Sequence, residues 1–173
     1  MNALLRNTLL TALVALLGCG RGTPPAPLAV VPAGTIATSG NSLRMKVDGV
    51  EWRADHDVFG AFHPPGYDRA LLIAGGKGPK DASEQVLNIN LFGIDGPGRY
   101  AIRGGNPSGS VAQLANHTPE RFLAGSMMGF DLVVEITVAR TDPTHIEASF
   151  SGTLTGNDGV AMKIEDGRFL YRD

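Results

Sequence analysis

The densest group of side chains able to do chemistry is Asp55-His56-Asp57, with His63 seven residues further on. An imidazole between carboxylates is a donor set for zinc and related ions. Such a site needs its donors to converge, whereas alternate side chains of an extended chain point to opposite faces. Alternation leaves Asp55 and Asp57 together and sends His56 apart. The stretch follows Trp52, where the chain is expected to leave the sheet, and it reads as a solvated loop with no metal ligand. His117 lies in a polar loop and His145 at a strand start, and both are expected to be exposed, unengaged imidazoles. GGKGPK from Gly75 invites comparison with a phosphate loop, but it lacks the four-residue spacing between glycines and the Ser or Thr after the lysine. No Gly-x-Ser-x-Gly elbow and no Ser, His and acid arrangement suggests a triad. No catalytic residue and no cofactor is expected.

The lone cysteine, Cys19, has a different chemistry in prospect. Arg6 and the apolar stretch from Thr8 to Leu17 precede it. That stretch of about ten residues falls far short of the ~20 needed to span a bilayer as a helix, so residues 1–18 read as an export signal. Leu16, Gly18 and Cys19 stand where a bacterial lipobox has a branched apolar residue, a small residue and the acceptor thiol. The segment resembles the bacterial lipoprotein pattern, with Leu17 where a smaller residue is commoner. The resemblance implies that Cys19 becomes the first mature residue and carries a diacylglycerol thioether and an acylated amine. Several acyl chains at about 0.8 kcal/mol per buried CH₂ give a stable anchor. Because Gly20 rather than Asp follows, the likeness to Gram-negative lipoproteins implies the outer membrane.

What remains after residue 18 suits one domain with its own core. The formal charge is −2 and no basic run could track phosphates, which argues against a nucleic-acid partner. Glycine at 23, proline at 11 and only 18% charged residues are the balance of a loop-rich β-protein.

Residues 19–42, with four prolines and almost no charge, read as a tether reaching roughly 25 Å as a coil and about 70 Å if stretched. The alternative is that Leu28–Val31 and Thr35–Ala37 add an edge strand. From Leu43 the apolar residues recur with period two. Leu43, Met45 and Val47 lead to an Asp48-Gly49 turn, after which Val50 and Trp52 continue the face. Leu87, Ile89 and Leu91 alternate with asparagines. Phe130, Leu132, Val134, Ile136 and Val138 form the longest alternating face; Asp142-Pro143 breaks it, and Ile146, Ala148, Phe150 and Leu154 resume it. After Asn157-Asp158-Gly159 come Val160, Met162 and Ile164, with Asp166-Gly167 interrupting before Phe169 and Tyr171. Leu71–Ala74 and Arg99–Arg103 are shorter strands, the first ending in the GGKGPK loop. Thr118-Pro119 reads as a helix cap, giving a turn or two of helix through Leu123, or else Arg121–Ala124 is a strand. The expected architecture over residues 43–173 is all-β: an antiparallel sandwich or flattened barrel of about eight strands with at most one short helix.

KVDGVEWRAD at the start of this region, the Gly98-Arg99-Tyr100 strand start and SFSGTLTGNDGVAMKIEDGRF at its end resemble small bacterial lipoprotein domains without assigned activity. In them a V-D-G-x-x-W hairpin opens the fold and a G-x-L…DG-x-F hairpin closes it. Asp48, Gly49 and Trp52 match the opening; Gly152, Asp166, Gly167 and Phe169 match the close. The resemblance implies structural roles for these residues and names no reaction. Two function classes follow. One is a non-catalytic, envelope-anchored domain that binds a periplasmic or envelope protein, such as an inhibitor or immunity protein. The other is a ligand carrier or enzyme whose loops assemble a site from His56, His117 and nearby acids.

Overall fold

The computed structural model describes residues 40–66 and 68–173. Cys19, the expected signal segment 1–18, the expected tether as far as residue 39 and its alternative edge strand lie outside the described residues. Eleven strands are β1 Ser42–Val47, β2 Val50–Arg53, β3 His56–Phe62, β4 Ala70–Lys77, β5 Gln85–Phe92, β6 Gly98–Arg103, β7 Val111–Ala115, β8 Leu123–Gly125, β9 Phe130–Thr141, β10 Thr144–Thr155 and β11 Ala161–Arg172. They form two antiparallel sheets, ordered β2-β1-β11-β10-β9-β6 and β3-β4-β5-β7-β8. The described residues contain no helix. Leu43, Trp52, Ile136 and Phe150 of the larger sheet share one buried cluster with Leu71, Ile73, Ile89 and Leu114 of the smaller. The all-β expectation holds, as a two-sheet sandwich and not a closed barrel.

β3 and β7 go beyond the strands that the sequence marks out, while β8 takes up the strand alternative for Arg121–Ala124 from Leu123 onward. β3 opens on a histidine and an aspartate, and β7 fills two of its five positions with alanine, a weak strand former. No helical turn follows Thr118-Pro119. Thr118 Oγ1 accepts the Arg121 N–H at 3.1 Å, and the Asn116 N–H donates to the Phe122 carbonyl at 2.8 Å, so the segment closes as a loop between the paired strands β7 and β8. GGKGPK is only partly a loop, since Gly75, Gly76 and Lys77 belong to β4.

Asp48 and Gly49 have φ of 50° and 81°, as a two-residue hairpin turn of the primed type requires. Val50 shares the inward face by register with Val47, yet it starts a four-residue edge strand and is 69% exposed. Val160 also lies outside the core, in the turn before β11. β9 and β10 pair antiparallel as expected, with Ile136 and Phe150 buried. A bulge sets Glu147 opposite Val138 and Ala148 opposite Ile136. It hands the inward role beyond Ile136 to Ala139, opposite Ile146, and leaves Val138 half-buried. β11 continues through Asp166-Gly167 as one bulged strand, with Asp166 at φ 52°. A side chain at Gly167 would run into the Phe150 backbone carbonyl and ring, which explains the glycine.

Candidate functional site

The chain crosses between sheets immediately after Trp52. The Ala54 N–H donates to the Leu43 carbonyl in the larger sheet, and the next, Asp55 N–H, donates to Gly76 in the smaller, each at 2.9 Å. β3 therefore begins at His56, opposite Gly76. A bulge follows, because the next pair is Phe59 with Ala74, and Asp57 takes a left-handed φ of 50°. This bulge overturns the simple alternation expected for Asp55-His56-Asp57. His56 does not stand apart: its Nε2 lies 3.4 Å from Asp55 Oδ1 and its Nδ1 lies 3.4 Å from Asp57 Oδ2. The hairpin of β4 and β5 brings a further carboxylate, with Glu84 Oε1 3.6 Å from Nδ1.

The His56 and Glu84 side chains are 19% and 25% exposed, while Asp57 is 62% exposed. The Gly78 carbonyl accepts from Nε2 at 2.9 Å, and the Gly78 N–H donates to Asp55 Oδ2 at 3.1 Å. Lys80 Nζ reaches both Asp57 oxygens, at 2.8 and 2.7 Å. That bond holds the Asp57 carboxyl below its ordinary range and raises the Lys80 ammonium above its own. Glu84, Lys80 and the space beside Gly76 were not singled out by sequence reasoning. Pairing Leu71–Lys77 with Gln85–Leu91 would have been the available signal, since it brings the intervening loop against the start of β3.

The other histidines are placed elsewhere. His63 lies beyond the far end of β3, roughly 20 Å along the strand at 3.3 Å per residue, with Nδ1 2.8 Å from Asp68. His145 is engaged rather than exposed and idle, accepting from Arg172 Nε at 3.0 Å and lying 2.8 Å from Glu147 Oε1. His117 is half-buried, and its Nδ1 is shielded without a hydrogen-bond partner. Burial pushes its imidazole below the ordinary histidine range; Asp48 opposes this, and Arg121 and Lys77 reinforce it. Its loop is tied to the core through Gln85, which accepts from buried Trp52 Nε1 at 2.8 Å and donates to the His117 carbonyl at 3.3 Å. Ala82, Ser83, Gln85 and Phe122 line a hollow beside it.

The outer faces of the two sheets differ in kind. Across the larger sheet, one register row reads Arg53, Arg44, Arg168, Ser149, Glu135, Arg99. Across the smaller sheet, one row reads Phe59, Ala74, Asn88, Gln113, Gly125 and another Ala61, Leu72, Asn90, Val111. Gly76, Val86, Ala115 and Leu123 form a third row, which meets His56 at the β3 edge. No Asp, Glu, Lys or Arg occurs in these three rows. The Asn88 and Asn90 amide oxygens are buried there and accept no hydrogen bond from the described residues. No family model, curated protein or solved structure matches the chain.

Proposed function

We propose that this chain is an envelope lipoprotein, held at the outer membrane through Cys19, whose sandwich is a non-catalytic domain that binds an envelope or periplasmic protein, for example as an inhibitor or immunity protein. The outer face of the five-stranded sheet carries this reading. An antiparallel sheet with one wet side normally alternates apolar with polar or charged residues, yet these three rows mix alanine, valine and leucine with neutral amides. Uncharged surface rimmed by polar residues is what protein interfaces use.

A photo-reactive residue placed at Gln113 in growing cells tests the reading, with Ser149 on the charged face as the control position. The expected result is one discrete protein adduct from position 113, lost when Ala74→Glu puts a charge in the same row. Adducts from position 149 alone, or none from either, would refute it.

A further inference from the structure

The His56 ring sets a charge problem among its neighbours. Its Nε2 lies 2.9 Å from the Gly78 carbonyl. A carbonyl only accepts, so Nε2 carries the proton, and in the neutral ring Nδ1 presents a lone pair. That atom is buried, has no hydrogen-bond partner, and faces Asp57 Oδ2 at 3.4 Å and Glu84 Oε1 at 3.6 Å. Three electron-rich atoms thus converge, one from each residue, all within 4.8 Å of one another. A proton on Nδ1, in ion pairs at these separations, or a metal ion between the three would relieve the repulsion. An N–H···O bond spans about 2.7–3.2 Å, shorter than either separation. Two donors each about 2.1 Å from a zinc ion and tetrahedrally disposed lie about 3.4 Å apart, close to both.

We propose that His56 Nδ1, Asp57 and Glu84 form a binding site for a zinc-like divalent transition ion, with solvent completing its coordination on the exposed Asp57 side. The inference is independent of the protein-binding reading. Metal-bound imidazoles characteristically donate their second N–H to a carbonyl or carboxylate, which orients the ring. Gly78 supplies that carbonyl, and Asp55 holds the Gly78 peptide in place. Gly76 leaves the room, since a Cβ there would collide with the His56 ring and the Glu84 carboxylate. Lys80 neutralises Asp57 until the ion arrives and competes with it. One imidazole with two carboxylates favours zinc and its neighbours over the all-oxygen cations calcium and magnesium.

The test is a zinc titration of the full-length chain, carrying Cys19→Ser to remove the lone thiol, in competition with a chromogenic chelator. One equivalent of zinc should bind, unaffected by excess magnesium. His56→Ala and Glu84→Gln should each weaken binding by about tenfold or more, a loss of the size seen when even the supporting residues of a metal site are removed. Lys80→Met should strengthen it. Asp57→Asn, at an exposed side chain, should weaken it as well and covers the case in which His56→Ala disturbs β3. Failure to bind one equivalent, or binding that these ligand substitutions leave unchanged, would overturn the site.

Discussion

His56 and His117 adjoin the same segment, residues 82–85, in different surroundings. Carboxylates surround His56, whereas burial dominates at His117, with Asp48 opposing the shift and Arg121 and Lys77 reinforcing it. The consequence for His117 is a stability slope whose sign is set. Its folded pKa lies below the unfolded value near 6.5, so on acidification the unfolded chain takes up the proton first. The contribution is fully present above about pH 6.5 and is lost as pH falls from there toward the folded value. The depressed carboxyls, such as Asp158 beside Arg121 and Glu147 beside Arg172, act lower, because their unfolded values are 3.8 and 4.5. Denaturant melts between pH 7 and 5 should therefore show the wild type losing stability, with a smaller loss in His117→Gln. Parallel slopes for the two proteins would remove His117 as the cause.

At the scale of elements, β9 and β10 are adjacent inner strands of the larger sheet, though its central pair is β10 and β11 rather than β9 and β10 as the long alternating faces suggest. The register of β9 with β10 can be tested by which substitutions hurt. Ile136 and Phe150 are 2% and 3% exposed. Truncating either to Ala should cost about 2–5 kcal/mol through lost burial and a residual cavity. Thr137→Ala should stay within about 0.5 kcal/mol. Glu147→Ala gives up an exposed pairing with Arg172 and should cost no more than about 1 kcal/mol. Urea melts of the four variants decide this, and a Glu147→Ala effect equal to that of Phe150→Ala would contradict the register. These long strands were legible in the sequence because the alternation from Phe130 to Val138 repeats one signal five times. Where the structure departs from that pattern, at Val138 and between His56 and Phe59, a bulge has inserted one residue, and period-two reasoning fails one position later. The candidate site was half legible for the same reason. Asp55-His56-Asp57 stood out by composition, but its convergence depends on a left-handed Asp57 and on Glu84, which reaches it only through the β4–β5 hairpin.

At the scale of the molecule, the sandwich has a charged outer face and a neutral one, and only the neutral one lacks a reason to stay in water. A surface of that kind favours association, and a membrane anchor would confine its encounters to the envelope. The proposed lipid at Cys19 is thus the partner of the proposed neutral face: one restricts where the domain meets other proteins, the other what it holds. The two are separable by experiment, because the described core cluster begins at Leu43, well beyond Cys19. Cys19→Ser should abolish labelling by a fatty-acid analogue and shift the protein from the membrane to the soluble fraction. Its thermal melt should match that of the wild type, since no side chain of the described core changes. Equal labelling of wild type and variant would end the case for an anchor at this cysteine, whereas loss of labelling with an unchanged melt would place the whole effect of the thiol on location and none on the fold.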